Sequence, residues 1–139
     1  MDSVQLAHLL RRTEYVARPA RMNALSGGSV TREMAVNDVL NVTTPVAIPA
    51  YIEHDIDGEG YNQWVFAVQW WLDRMVDSPK PMQERMAFFW HGHFATHENK
   101  VRDYRKMVQQ VDLFERGATG NLRDLTIGVA RNPAMLYFL

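Results

Sequence analysis

The sequence predicts an all-α fold: an orthogonal bundle of about six to seven helices with one long acidic loop. Apolar residues recur at intervals of three and four along most of the chain, which is the spacing of an amphipathic helix. Proline and glycine lie mainly between these segments, where they end one helix or begin the next. With 139 residues, of which 47% are hydrophobic, the chain has the size of one domain and can bury a core.

The first forty residues are predicted to form three short helices. Leu6 and Leu10 lie on one face of the first helix, and Asp2 or Ser3 can accept its free amide hydrogens. The boundaries of the second and third helices are marked by Pro19, by Gly27 and Gly28, and by Thr31.

Residues 41–60 are predicted to be a long loop, because they combine prolines and glycines with four acidic residues. The acidic character extends further, since residues 33–73 hold seven Asp or Glu and no Lys or Arg. Such a block is typical of a solvated loop flanked by helices that carry the balancing positive charges.

The second half of the chain carries the main helices. From Tyr61 the apolar pattern is dense, and Trp64, Val68, Trp71 and Met75 follow one another at spacings of four, three and four. The next helix begins near Pro81 after Pro79, and a further one begins at about Asn99 and is broken by Gly117 and Gly120. Two more begin near Leu122 and at Pro133.

We therefore predict one domain over residues 1–139, with short helices in 1–40, the acidic loop in 41–60 and the main helices in 61–139. The last predicted helix reaches Leu139 without a cap, which indicates the N-terminal fragment of a larger helical protein. The expected partner is the missing C-terminal region, or a second copy of the chain, because a cut chain leaves apolar surface uncovered.

Composition excludes several classes of function. The absence of cysteine excludes disulfides, thiol nucleophiles, iron–sulfur clusters and thiolate zinc sites. A net charge of −1 argues against nucleic-acid binding. No apolar run approaches the roughly 20 residues of a membrane span, and no secretory signal precedes the first helix, so we expect a cytoplasmic location for this chain.

Three of the five histidines lie in the segment Phe88–Val101, which reads FFWHGHFATHENKV. Imidazole is the commonest metal ligand, so His91 and His93 are candidate ligands for a divalent ion such as zinc, manganese or iron. On a continuous helix the two rings would lie roughly 200° apart, whereas an extended segment would place them on one side. Gly92 between them is compatible with either conformation.

Two glutamates could complete such a site. Glu84 precedes His91 by seven residues and Glu98 follows it by seven, so each is a candidate ligand or general base. Further ligands would have to come from Asp55 or Asp57, or from the missing region. The alternative is that these histidines pack in the core, and that Trp90, Phe94 and Trp71 either line a binding groove or belong to that core.

Several segments together resemble one bacterial family, the domain of unknown function 1800. They are His8–Arg12, Trp70–Met75, Ser78-Pro79, Glu84–Met86, Phe89–Thr96, Lys100-Val101, Gln109-Gln110, Leu113-Phe114, Gly120-Asn121, Leu125 and Asn132–Leu136. The resemblance spans nearly the whole chain but only the N-terminal part of the longer family members. It implies a largely helical fold, draws attention to the Phe-Trp-His-Xaa-His-Phe motif and attaches no reaction to it.

The sequence thus favours a structural scaffold, or a segment that binds a partner or ligand, with a structural Trp-His motif. The motivation is the density of aromatic helices and the lack of a complete catalytic set. The alternative is a metal-dependent, hydrolase-like enzyme that uses His91 and His93. Whether the protein is an enzyme is left open by the sequence.

Overall fold

The computed structural model describes residues 1–42, 48 and 60–139, and these form nine α-helices without a β-strand. The predicted all-α class is confirmed. In chain order the helices are α1 (Ser3–Thr13), α2 (Pro19–Leu25), α3 (Arg32–Leu40), α4 (Gly60–Asp77), α5 (Pro81–His93), α6 (Glu98–Val101), α7 (Tyr104–Arg116), α8 (Leu122–Arg131) and α9 (Pro133–Phe138).

The described residues form nine helices, against about six to seven for the predicted bundle. The segments marked along the sequence number eight, and the ninth helix arises where one of them is divided. The predicted acidic loop falls mostly on residues 43–47 and 49–59, which lie outside the described part. The orthogonal arrangement, the division of the domain and the fragment status stay predictions. None of the described helices combines the length and apolar character that a membrane crossing requires.

Helices α1 to α3 pack around a small apolar cluster, against which Met82 of α5 also packs. Asp2 caps α1 by accepting a hydrogen bond from the amide of Gln5 at 2.7 Å, and Thr31 caps α3 in the same manner. The cluster consists of buried Leu6, Leu10, Leu25 and Val39.

Two arginines connect these N-terminal helices to the rest of the molecule through backbone carbonyls. Arg18 donates to the carbonyl oxygens of Val76 and Ser78, at 2.8 and 3.0 Å. Arg85 of α5 donates to the carbonyl of Glu14 at 2.6 Å. Because the carbonyls near helix ends lack helical partners, guanidinium groups are suited to bind them.

Helix α7 occupies the centre of the main helices and contacts α4, α5, α6, α8 and α9. Its buried residues are Tyr104, Met107, Val108, Gln110, Val111, Phe114 and Glu115. Three of the apolar clusters include residues of α7: one with α4, one with α5, α8 and α9, and one with α6 and α9. The described core of the main helices is therefore organised around this helix.

The helix predicted to begin at about Asn99 is divided into α6 and α7. Arg102 adopts a left-handed conformation with φ 52°, and its amide closes α6 on the carbonyl of Glu98. Asp103 then begins α7 by accepting hydrogen bonds from the amides of Arg105 and Lys106. Asp is a strong N-cap, and this local preference outweighs the continuous apolar periodicity.

Helices α7 and α8 approach each other closely at Gly128. A Cβ atom at this position would lie 2.9 Å from Cδ1 of Leu113, so the absence of a side chain permits the contact. The approach brings Leu125 and Val129 of α8 onto Phe114, within the cluster that also receives Trp90 and Phe94 from the histidine segment.

Candidate functional site

The histidine segment is helical as far as His93. Pro81 occupies the first position of α5, where its missing amide hydrogen costs nothing, and the amide of Phe94 closes the helix on the carbonyl of Trp90 at 2.8 Å. The side chains of His91 and His93 therefore project from one continuous helix, at positions two residues apart. At about 100° per residue their side chains point to different sides of α5.

His91 points toward the interior. Its ring lies edge-on to Trp71, with centroids 5.4 Å apart at 88°, and 6.3 Å from the ring of Phe114. Burial, together with the nearby charge of His97, lowers the pKa of His91, so the imidazole is neutral at physiological pH. Its Nδ1 is buried and has no hydrogen-bond partner among the described residues. This histidine has the surroundings of a core residue.

His93 lies on the exposed side of the same helix. Its ring stacks on Phe89, with centroids 6.1 Å apart at 15°, and lies edge-on to Phe94 at 4.9 Å. Phe89 is itself 54% exposed. The structure thus separates His91 from His93 and surrounds each with aromatic rings.

Trp90 and Phe94 tie the end of α5 to α7. The indole N–H of Trp90 donates to the carbonyl of Ala118 at 3.0 Å, just beyond the end of α7. Phe94 stacks on Phe114, with centroids 6.2 Å apart at 9°. Trp71 completes the arrangement from α4, where it contacts His91 and Phe88. These three binding candidates are therefore packed between helices.

The third histidine and the second glutamate belong to the next element. His97 precedes α6, and its Nδ1 accepts a hydrogen bond from the amide of Asn99 at 3.1 Å. Glu98 lies in the first turn of α6, half-buried. Just before them, the hydroxyl of Thr96 donates to the side-chain oxygen of Gln110, and both residues are buried. The segment after α5 is thereby fixed to the central helix.

No group of three or more His, Asp or Glu within the described residues is arranged to hold a metal ion. Asp55 and Asp57, which the sequence offered as distant ligands, lie outside that part of the chain. His91 and His93 are thus not joined by a carboxylate from the helices that the structure describes.

Glu84, the other candidate acid, lies in a buried cluster of charges. Nη2 of Arg74 lies 2.6 Å from one carboxylate oxygen of Glu84 and 3.0 Å from one of Glu115. The two glutamates are 0% and 2% exposed, and the arginine is 7% exposed. We call these three residues the buried triad; it joins α4, α5 and α7.

The buried triad contains two acids and one base, and its titration reflects this imbalance. Burial, and secondly the charge of Glu84, raise the pKa of Glu115 to about 8, although Arg74 acts in the opposite direction. At neutral pH Glu115 therefore holds a proton and the triad carries no net charge. Gln83 supports it by donating from its side-chain amide to the carbonyl of Glu115 at 3.2 Å.

Sequence reasoning identified Glu84 but missed Arg74 and Glu115. A signal was present, because both charged residues occupy positions on otherwise buried helix faces. Arg74 continues the buried series of Ala67 and Trp70 at spacings of three and four, and Glu115 lies next to Phe114 on the buried face of α7. Charged residues in such positions are usually paired with one another.

The fold and this arrangement define a class: an all-helical protein with a central helix, an aromatic helix packed against it and a buried Arg-Glu-Glu cluster. The family model described as "Protein of unknown function (DUF1800)" matches residues 8–139. The chain therefore belongs to the DUF1800 family, as its resemblance predicted. No curated protein and no solved structure matches the chain.

Proposed function

We propose that this chain is a non-catalytic helical scaffold in which the Trp-His motif fixes the packing of α5 against α4 and α7. The observation that carries the proposal is the placement of Trp90, His91 and Phe94. Each of them contacts another helix, or the turn that follows α7, through a ring contact or an indole hydrogen bond. Aromatic pairs of this kind contribute about 0.5–1.5 kcal/mol each beyond their buried area.

The environment of the candidate acids supports the same proposal. A general base must come within hydrogen-bond distance of its substrate. Glu84 is fully buried against Arg74, which prevents such an approach. Glu98 lies at the start of α6, a helix distinct from the one that carries His91 and His93.

The experiment compares metal content with thermal stability in protein purified without a polyhistidine tag. His91→Ala removes a ring from between Trp71 and Phe114, so we expect it to lower stability by about 1–3 kcal/mol. His91→Phe keeps an aromatic ring but cannot bind a metal, and we expect it to remain within about 1 kcal/mol of the wild type. His93→Ala is the matched exposed control on the same helix.

The rival function, a metal-dependent and hydrolase-like enzyme that uses His91 and His93, makes the opposite prediction. It requires near-stoichiometric zinc, manganese or iron in the wild type, and loss of that metal in both His91→Phe and His93→Ala. Such a result would replace the scaffold proposal. The scaffold proposal would be supported if no metal is bound and if His91→Ala, but not His93→Ala, destabilises the protein.

A further inference from the structure

A groove lies between α1, along its whole length, and the first two turns of α3. Its volume is about 550 Å³. This is within the range of small-molecule pockets, roughly 300–1,000 Å³. The groove is remote in sequence from the histidine segment and from the buried triad.

Positive charge dominates the lining of this groove. Arg11 and Arg12 reach it from the last turn of α1, and Arg32 reaches it from the first turn of α3, with His8 between them. No Asp or Glu is among the residues that line it. Three arginines thus line one concavity that no acidic residue lines with them.

The arginines nearest to the groove are compensated, whereas those that line it are not. Arg18 and Arg85 are bound to backbone carbonyls, and Arg21 lies between Glu14 and Asp38 at 2.9 and 2.6 Å. Among the described residues, by contrast, the guanidinium groups of Arg11, Arg12 and Arg32 form no ion pair or hydrogen bond. Unpaired guanidinium groups favour bidentate binding of a phosphate or carboxylate.

The same groove has apolar walls. Val4 lines it while 74% exposed, and the half-buried side chains of Leu9 and Val36 contribute from α1 and α3. Apolar side chains beside arginines favour a ligand that is itself amphipathic, because a fully hydrated ion gains nothing from the apolar walls.

We propose that this groove binds a small amphipathic anion, with its phosphate or carboxylate head on the three arginines and its aliphatic tail along Val4, Leu9 and Val36. The concave shape and limited volume favour a single small molecule over an extended surface. This binding site is additional to the scaffold function and is independent of it.

The first test titrates the whole protein, by calorimetry, with decyl phosphate and decanoate below their micellar concentrations. Inorganic phosphate carries only the head and decanol carries only the tail. We expect at least one of the two amphiphiles to bind at least tenfold more tightly than either half. The ratio between the two amphiphiles distinguishes a phosphate head from a carboxylate head.

The second test uses variants that leave the fold intact. Arg12→Gln/Arg32→Gln removes two exposed guanidinium groups, and we expect affinity for the amphiphile to fall at least tenfold, which corresponds to about 1.4 kcal/mol. Arg131→Gln is the matched control, because Arg131 is likewise exposed in the last turn of a helix, α8. Val4→Asn tests the apolar wall and should weaken the amphiphile without affecting inorganic phosphate.

Several results would overturn the proposal. Equal affinity for inorganic phosphate and decyl phosphate would indicate adventitious ion binding only. Binding to vesicles of anionic lipid without binding to the single amphiphile would indicate a surface contact. An equal loss in Arg131→Gln would indicate a general charge effect. Thermal melts of each variant confirm that the protein titrated is folded.

Discussion

The ionisation of Glu115 is controlled by its burial in the protein interior. Its carboxyl group is buried beside Glu84, and its pKa is raised from 4.5 to about 8. Because the folded state then binds a proton that the unfolded state releases, the stability from this proton is complete below about pH 4.5. It is lost progressively as the pH rises through about 8.

This decrease of stability with rising pH leads to a prediction for Glu115→Gln, which mimics the protonated acid at every pH. We expect the variant to be close to the wild type at pH 5 and more stable than the wild type at pH 8, measured by urea unfolding at both values. A wild type whose stability rises between these values, relative to the variant, would contradict the protonation of buried Glu115. Asp112→Asn, at a half-buried acid paired with exposed Arg116, is the control.

Arg74 supplies the positive charge of the buried triad. Arg74→Met retains much of the side-chain volume but leaves Glu84 without its counter-charge at 2.6 Å. We expect a loss of about 3–5 kcal/mol in the free energy of unfolding, because a buried charge without its partner is costly. Arg123→Met is the control: its side chain is 81% exposed and its ion pair spans 3.9 Å, so a change within about 0.5 kcal/mol is expected.

At the scale of the element, the start of the central helix depends on one side chain. Oδ1 of Asp103 accepts from the amides of Arg105 and Lys106, at 3.0 and 3.4 Å. Its carboxylate also binds the ammonium of Lys106 at 2.6 Å. Burial opposes ionisation, but these bonds from Lys106 outweigh it and lower the pKa of Asp103.

We therefore expect Asp103→Ala to destabilise the protein by about 1 kcal/mol, and Asp103→Asn by less, because Asn retains the cap. The contribution of the charge is present above the unfolded-state pKa of 3.8 and declines as the pH falls through the lower folded-state value. Thermal melts at pH 7 and pH 3 measure both effects. An alanine variant as stable as the asparagine variant would show that the cap is unimportant for α7.

Helix boundaries followed from the sequence wherever a local signal was strong. Pro19, Pro81 and Pro133 each occupy the first position of a helix, as predicted, because proline fits that position. The division at Arg102 was not foreseen. There the apolar periodicity continues across the break. The break follows from the preference of Asp103 for an N-cap position, which outweighs the continuation of the helix.

At the scale of the whole molecule, apolar side chains remain exposed on α4. Val65, Phe66, Leu72 and Val76, which are 43–66% exposed, form an apolar outer face beside the exposed polar residues Gln69, Asp73 and Asp77. With a net charge of −1, little electrostatic repulsion opposes association. Exposed apolar patches of this kind mark association surfaces.

We accordingly predict that the chain self-associates through this outer face. Sedimentation of the wild type should show a concentration-dependent dimer or larger species, and Leu72→Lys/Val76→Lys should shift the chain to the monomer. Leu136→Lys, at a residue 62% exposed on α9, is the control for an added charge elsewhere. A wild type that stays monomeric at high concentration would refute this prediction.

The sequence by itself determined the helical class, most helix starts and the family. These follow from periodicity, capping and segment order, which are local along the chain. The tertiary structure decided which residues meet. It paired Glu84 with Arg74 and Glu115 rather than with a histidine, because burial of a charge requires a counter-charge from another helix. It also separated His91 from His93, because α5 continues through Gly92 and a continuous helix directs alternate residues to different sides.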